Sequence, residues 1–285
     1  MPKLNANGLN FHYQQTGCGP DVILIHGVTG DLSIWFLCEA MGVLARSFRV
    51  TAFDLRGHGY SDVSRDGYTS ADQAGDVLAI MDGLGIDRAT LLGHSFGAVI
   101  GTHAAVLYPG RIEGLVLSDP SFPALRHLEN LSRWGHWQNF REEAAQAGVT
   151  LSAEHWYDLG RFFDQVLHLD GERLLRFRQA VGLPGFNRLL RLAHTTCGDD
   201  AKAVAGLTEE LIEGVIQPVF AIFGEHSPFL ATADFLGQHL AHCVNRLVPG
   251  AKHRAPEENG PMFVELVNEY LTSQESTAQL ARTTR

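Results

Sequence analysis

The stretch "LLGHSFGAVIGTHAA" (Leu91–Ala105) contains the pattern Gly-x-Ser-x-Gly, with Ser95 at its centre. An apolar run typical of a buried strand precedes the serine, and a segment that favours a helix follows it. A strand–turn–helix of this kind projects the serine hydroxyl above a sheet, at the amino end of a helix. An ordinary serine turn would not need these flanking elements, so the sequence predicts that Ser95 is a nucleophile.

Other apolar runs alternate with amphipathic segments along the chain. Besides the run that ends at His94, the predicted strands cover residues 9–17, 21–27, 48–54, 113–119, 217–224 and 243–250. Nearly continuous apolar strands that are separated by helices indicate a parallel sheet covered on both faces. The sequence therefore predicts an α/β fold.

The rhythm of strands is interrupted between residues 121 and 216. This segment is rich in aromatic and helix-forming residues, as in "LSRWGHWQNF" (Leu131–Phe140), and predicts a helical insertion above the core. Residues 1–120 and 217–273 are then the two parts of the core. Residues 274–285 form a polar tail, and the end of the chain from residue 272 is expected to fray.

Three further motifs follow predicted strands in a fixed order. They are "HGVTG" (His26–Gly30), "DLRGHGYSD" (Asp54–Asp62) and "GAKHRAPEENGPMF" (Gly250–Phe263). With the serine pattern, they make the chain resemble the α/β-hydrolase fold superfamily, in particular its serine esterases, lactonases and thioesterases. The resemblance implies a mostly parallel eight-stranded sheet flanked by helices. It also implies that the insertion is a helical cap between strands 6 and 7.

The resemblance assigns roles to four positions. Ser95 matches the nucleophile and His253 the general base, while the backbone N–H groups of Val28 and Phe96 match the two donors of the oxyanion hole. These residue types suit the chemistry, because a serine hydroxyl attacks well only when a base takes its proton. The negative charge that then develops must be met by fixed hydrogen-bond donors.

The acid of the triad departs from the usual pattern. In most of the family it lies three residues beyond Gly224, where this chain has Ser227, which cannot carry a negative charge. Asp119 follows the preceding strand, where some branches, notably the haloalkane dehalogenases, place their acid. We therefore predict Asp119 as the acid, although an aspartate before Pro120 could instead cap a turn. Two alternatives remain open: Glu225 is the acid, or no working triad exists.

The aromatic side chains of the insertion are candidates for the substrate pocket. Trp134, Trp137, Trp156 and Phe163 are predicted to contact the substrate, and the alternative is that these rings pack the cap onto the core. A cap of this composition favours an apolar or cyclic acyl group over a sugar.

Several polar residues near these motifs are predicted to be structural. His26 and His94 flank the site and match scaffolding positions of the family. Arg188 and Arg191 are predicted to lie on a solvated helix face, although a thioester substrate would suit them. The fourteen histidines lack the i, i+4 pairing of a helical zinc site, so no metal and no cofactor are expected.

Charge and cysteine content limit the partners. The net charge of −10 argues against nucleic acid and anionic membrane surfaces, both of which attract basic proteins. The four cysteines lack CxxC spacing, and the first residues lack an apolar signal segment, so a cytoplasmic location is expected. The expected partner is a small-molecule substrate, and a homodimer is a possible assembly.

Together these features predict a cofactor-free serine hydrolase. It would cleave an ester, thioester or lactone of a fairly apolar small molecule through an acyl-enzyme on Ser95. Two alternatives stay open: hydrolysis of a carbon–carbon bond in a diketone-like substrate, and a ligand-binding receptor with weak turnover.

Overall fold

An eight-stranded sheet lies at the centre of the protein in a computed structural model that describes residues 1–129, 131–151 and 158–283. In chain order the strands are β1 (Lys3–Ala6), β2 (Leu9–Thr16), β3 (Asp21–Ile25), β4 (Arg49–Phe53), β5 (Ala89–His94), β6 (Ile112–Ser118), β7 (Val219–Gly224) and β8 (Cys243–Val248). Across the sheet their order is β1-β2-β4-β3-β5-β6-β7-β8.

In sheet order, the strands β4-β3-β5-β6-β7-β8 are parallel to one another, while β2 is antiparallel to both of its neighbours, β1 and β4. The predicted, mostly parallel eight-stranded sheet is therefore confirmed. The strand absent from the sequence interpretation is β1, which pairs with β2 through a tight turn at Asn7 and Gly8. Both turn residues have positive φ, as a two-residue hairpin turn requires.

Successive residues of the strands point into two apolar cores, one on each face of the sheet. In β3, Val22 and Leu24 enter one core, and Ile23 and Ile25 enter the other. The first core is completed by α1 (Ile34–Leu37), α2 (Ala40–Leu44), α11 (Ala255–Glu258) and α12 (Gly260–Thr283). The second is completed by α3 (Ser70–Gly83), α4 (Phe96–Leu107), α9 (Glu209–Glu213) and α10 (Leu230–His239).

The described residues between β6 and β7 are mainly helical, in agreement with the composition. Two short 3-10 helices, Pro123–Leu128 and Leu131–Arg133, precede α5 (Trp137–Gln146), α6 (Leu159–Leu167), α7 (Gly171–Ala193) and α8 (Cys197–Asp200). A third apolar cluster forms among α6, α7 and α8 and includes Tyr68 from the core. The helix α7 is broken at Gly182, which has φ of 69° and lies two residues before Pro184.

The C-terminal helix differs from the prediction for the end of the chain. The helix α12 continues to Thr283, although the polar composition from residue 272 onward predicts a frayed terminus. The physical reason is that glutamine, glutamate, alanine and leucine are good helix formers, and they account for half of residues 272–283. Within the described ranges, α12 and the other helices are all too short or too polar to cross a lipid bilayer.

Candidate active site

The residues predicted to carry the chemistry follow four of the parallel strands and lie at the same edge of the sheet. The loop 26–30 follows β3, Ser95 follows β5, Asp119 follows β6, and His253 lies in the loop after β8. The carboxyl ends of parallel strands are where open α/β sheets bind their ligands. This topology places residues from distant parts of the sequence around one point.

Ser95 lies on a strained turn between β5 and α4. Its φ of 54° and ψ of −121° are rare for a residue with a side chain, and such strain is typical of functional sites. The flanking glycines allow close packing: a Cβ on Gly97 would lie 2.2 Å from the Ile25 carbonyl oxygen, and one on Gly93 would lie 2.3 Å from the Gly97 oxygen. The Ser95 N–H donates to the Ser118 carbonyl at 2.8 Å.

The imidazole of His253 lies between Ser95 and Asp119. Its Nε2 is 3.0 Å from Ser95 Oγ, and its Nδ1 is 3.3 Å from Asp119 Oδ1. When the Nδ1 proton is donated to the carboxylate, Nε2 is left as an acceptor for the serine hydroxyl proton. The structure therefore brings the three residues predicted from sequence into hydrogen-bonding distance, in the order that nucleophilic catalysis requires.

The Asp119 carboxylate is fully buried and receives hydrogen bonds on both oxygens. The Gly224 N–H donates to Oδ2 at 2.8 Å, and the Ser227 hydroxyl donates to Oδ1 at 2.5 Å. Burial raises the pKa of Asp119 above its ordinary value, while the hydrogen bonds from His253, Ser227 and Gly224 act in the opposite direction. The hydrogen bond from Ser227 to Asp119 was not predicted from the sequence. The available signal was that Ser227 occupies the position where most of the family has its acid.

Glu225, the alternative acid, has a different set of contacts. Its exposed carboxylate accepts the Gly250 N–H at 2.8 Å and lies 3.9 Å from the His226 ring. The glutamate therefore ties the end of β7 to the turn after β8, while the His253 ring pairs with Asp119.

The two predicted oxyanion donors belong to two segments that meet at the nucleophile, the start of α4 and the loop after β3. Phe96 is the first residue of α4, and the first N–H groups of a helix have no acceptor within it. Val28 lies in the loop after β3, next to Gly27, where an added Cβ would be 3.0 Å from Ser95 Cβ. Within the described residues, the Val28 N–H has no assigned hydrogen bond. These two N–H groups thus remain candidates for the oxyanion hole.

Two buried histidines hold the loop that carries Val28. His26 Nδ1 lies 2.8 Å from the Gly27 oxygen and its Nε2 accepts the Leu55 N–H at 3.0 Å. His58 Nε2 accepts the Thr29 N–H at 3.2 Å. Burial lowers the pKa of His26 and lowers that of His58 to about 3, so both rings are neutral and able to accept. Across the described chain, no group of three or more metal-binding side chains occurs.

Two arginines predicted to face solvent are anchored to the core instead. Arg188 Nη1 lies 2.7 Å from Asp31 Oδ2, and Arg191 Nη2 donates to the Gly59 oxygen at 3.1 Å. The prediction of a solvated helix face is therefore wrong for these two side chains. The reason is that α7 folds back over the loops after β3 and β4, which provide acceptors that the local sequence does not reveal.

The four aromatic candidates for substrate contact are in different surroundings. The half-buried Trp134 donates its indole N–H to the His226 oxygen at 2.8 Å and lines an open cleft of about 500 Å³ beside the loop after β7. Trp137 is buried, and Phe163 lies inside the cluster of α6, α7 and α8. Phe163 therefore has the packing role that the sequence left as an alternative. Trp156 lies outside the described residues.

A second carboxyl group near the site has no sequence signal. The Ser121 hydroxyl donates to Glu129 Oε1 at 2.9 Å, just after the first 3-10 helix of the insertion. Burial raises the pKa of Glu129 to about 7, and the negative charge of Asp119 acts in the same direction. A single glutamate in a helical segment carries no pattern that distinguishes it from a solvated one.

Comparison with curated proteins finds relatives with different activities. Epoxide hydrolase 3 of Siraitia grosvenorii is 33% identical over 134 residues, which cover 44% of this chain and 42% of that protein. The chain thus spans less than half the length of this relative in the match. The 2-hydroxymuconate semialdehyde hydrolase of Pseudomonas sp. (strain CF600) is 27% identical over 282 residues, which cover 96% of this chain and 94% of that protein.

The fold and the family are also found by comparison. The solved structure of the enol-lactonase from Burkholderia xenovorans LB400 has a TM-score of 0.67 and 24% identity, covering 95% of this chain and 100% of that chain. The profile of the alpha/beta hydrolase fold family matches residues 20–242. The strand order, the turn at Ser95 and this match over most of the sequence lead to one conclusion: the chain belongs to the α/β hydrolase fold family.

Proposed function

We propose that this protein is a cofactor-free serine hydrolase that cleaves an ester, thioester or lactone of a fairly apolar small molecule. The observation that carries the proposal is the line of contacts from Ser95 Oγ to His253 Nε2 at 3.0 Å and from His253 Nδ1 to Asp119 Oδ1 at 3.3 Å. A nucleophile, a base and an orienting carboxylate in this arrangement are what acyl transfer to serine requires.

The first half of the reaction forms the acyl-enzyme. His253 Nε2 takes the hydroxyl proton as Ser95 Oγ attacks the carbonyl carbon, and the carbonyl oxygen becomes an oxyanion. The backbone N–H groups of Val28 and Phe96 donate hydrogen bonds to this oxyanion. The imidazolium then gives its proton to the leaving group, and the bond from the carbonyl carbon to that group breaks.

The second half of the reaction releases the acid. A water molecule loses a proton to His253 as its oxygen attacks the acyl carbon of the ester on Ser95. The resulting oxyanion uses the same two N–H donors. Collapse of this intermediate returns the proton to Ser95 Oγ and frees the carboxylic acid. Through both halves, the Asp119 charge holds the neutral imidazole in the reactive tautomer and stabilises the imidazolium when it forms.

The preference for an apolar acyl group rests on the surroundings of the nucleophile. Val28 packs against both the sheet core and the apolar cluster of the insertion. A substrate near Ser95 would therefore meet apolar side chains of the insertion on one side and backbone donors on the other. This combination is typical of sites for small, largely apolar ligands.

Carbon–carbon bond hydrolysis is the second candidate. It is favoured by one finding, the full-length similarity to a relative named 2-hydroxymuconate semialdehyde hydrolase. A third possibility, a receptor with weak turnover, depends on the absence of a working acid. The buried Asp119 beside His253 argues against that possibility.

The proposal is tested first with a fluorophosphonate and intact mass spectrometry. Wild type is expected to gain one adduct rapidly, and Ser95→Ala none, while Ser47→Ala, at an exposed serine, serves as the matched control. A panel of nitrophenyl esters, lactones and a vinylogous diketone then separates ester hydrolysis from carbon–carbon cleavage. Folded wild type without any adduct would exclude the proposed nucleophile.

A further inference from the structure

Ser227 occupies the position where the family resemblance expects the acid. Its side chain is nearly inaccessible, with a residue exposure of 4%, and its hydroxyl lies 2.5 Å from Asp119 Oδ1. The Phe229 N–H donates to the same hydroxyl oxygen at 2.9 Å. Because an ionised carboxylate can only accept, the Ser227 hydroxyl donates its proton to Asp119 while its oxygen accepts from Phe229.

The carboxylate of Asp119 depends on a small set of donors. Gly224 N–H, Ser227 O–H and His253 Nδ1 all reach it, and the serine contact is the shortest of the three. Of the titratable groups around Asp119, one stabilises its negative charge and one opposes it. The His253 ring favours the ionised carboxylate, whereas the nearby Glu129 opposes its charge when both are ionised.

We propose that Ser227 is a positioning residue that keeps Asp119 ionised and oriented toward His253. The inference rests on the proposed serine hydrolase function and adds a residue to it. The common arrangement has a carboxylate at this position; here a hydroxyl at the same place supports a carboxylate that projects from the end of the neighbouring strand, β6. Hydrogen bonds to a charged carboxylate are about twice as strong as neutral ones, so this support acts directly on the acid.

The inference predicts a defined kinetic signature. Ser227→Ala is expected to slow fluorophosphonate labelling of Ser95 by about tenfold, because hydrogen bonds to charged groups contribute on that order. The acid limb of the pH profile of labelling is expected to move to higher pH. Loss of a donor makes the Asp119 carboxylate easier to protonate, and the neutral carboxyl no longer supports His253 as the base.

The experiment measures labelling rates by intact mass between pH 5 and 9 for wild type, Ser227→Ala, Ser227→Thr and Ser95→Ala. Ser227→Thr keeps the hydroxyl and is expected to retain most of the rate and the wild-type pH profile. Circular dichroism and thermal unfolding check the fold of each variant. If Ser227→Ala does not fold, Ser227→Cys replaces it, and the weaker thiol donor is expected to slow labelling in the same direction.

A double-mutant cycle tests whether Ser227 acts through Asp119. In the Asp119→Asn background, Ser227→Ala is expected to cause almost no further loss of rate, since the charge that it supports is already gone. If Ser227→Ala caused its full loss of labelling rate in the Asp119→Asn background as well, the inference would be overturned. It would also be overturned if Ser227→Ala alone labelled at the wild-type rate with an unchanged acid limb of the pH profile. In those cases labelled wild type and unlabelled Ser95→Ala would still support the hydrolase. Unlabelled wild type would instead overturn the proposed function itself.

Discussion

The guanidinium of Arg188 on α7 lies 2.7 Å from the carboxylate of Asp31. This contact ties the helical insertion to the loop after β3, which carries the candidate oxyanion donor Val28. Asp31 is also bonded by the N–H of Ser33 at 3.0 Å and by its hydroxyl. Burial alone would raise the pKa of Asp31, but the hydrogen bonds from Ser33 and the charge of Arg188 hold it below its ordinary value.

Removing this ion pair is expected to affect reactivity more than stability. Both side chains are partly exposed, so Arg188→Gln is expected to cost at most about 1 kcal/mol of unfolding free energy. The loop holding Val28 would lose its tie to the insertion, and labelling of Ser95 is expected to slow by roughly tenfold, less than the loss of a whole oxyanion donor. Denaturant unfolding and labelling rates measure the two effects.

Arg176→Gln is the matched control for this prediction. Arg176 lies on the same helix and pairs with Glu172 at 4.0 Å, on an exposed surface. Its substitution is expected to leave the labelling rate unchanged. Equal rates for the two arginine variants would show that the contact with Asp31 does not support the site.

The identity of the triad acid can be decided by two amide substitutions. Asp119→Asn is expected to lower turnover by roughly three to four orders of magnitude, because His253 loses its orienting charge. Glu225→Gln keeps the triad contacts and is expected to stay within a fewfold of wild type. The measurement is kcat/KM on the best substrate of the ester panel. A greater loss in Glu225→Gln than in Asp119→Asn would reverse the assignment.

The sequence was informative where signals are local or ordered along the chain. The turn at Ser95, the strands from β2 to β8 and the position of Asp119 after β6 could be predicted in this way, whereas β1 was not. The contact between Ser227 and Asp119 could not, because it spans 108 positions and depends on how β6 and β7 pair. The burial of Phe163 and the anchoring of Arg188 likewise depend on how the helices pack, which an amphipathic pattern does not specify.

Glu129 makes stability depend on pH. Its pKa rises from about 4.5 in the unfolded chain to about 7 in the folded protein, because the carboxyl is buried. The folded state therefore binds the proton more tightly than the unfolded state. The contribution of Glu129 to the free energy of unfolding is fully present below the unfolded pKa and is lost as the pH rises to about 7. A change of one in a pKa corresponds to about 1.4 kcal/mol, so the loss amounts to a few kcal/mol at most.

Glu129→Gln removes the titration and keeps an oxygen that can accept from Ser121. At pH 8, the free energy of unfolding of Glu129→Gln, measured in urea, is expected to equal or exceed that of wild type. Near pH 4, where wild type is protonated, the variant should lose this advantage. Glu225→Gln, at an exposed position, is the control and should not change the slope. A constant stability difference between Glu129→Gln and wild type from pH 4 to pH 8 would exclude this titration.

Because α4 approaches β3 closely, alanine substitutions at two glycines of this helix are expected to have opposite effects on stability. A Cβ on Gly97 would overlap the Ile25 carbonyl oxygen at 2.2 Å, so Gly97→Ala is expected to destabilise the fold by about 3 kcal/mol or more. A Cβ on Gly101 would lie 3.6 Å from Leu91 Cβ, an ordinary contact. Gly101→Ala is therefore expected to be neutral or to stabilise by up to about 1 kcal/mol through helix propensity.

Thermal unfolding and Ser95 labelling, measured on Gly97→Ala and Gly101→Ala, separate the effect of the close contact with β3 from the effect of helix propensity. Any shift of α4 away from β3 also displaces Ser95 and the Phe96 N–H, since both lie at the amino end of the helix. Gly97→Ala should therefore lose labelling even at temperatures where it remains folded, whereas Gly101→Ala should label at the wild-type rate. Wild-type labelling in a folded Gly97→Ala would mean that the turn tolerates a side chain there, so the nucleophile would not depend on this contact.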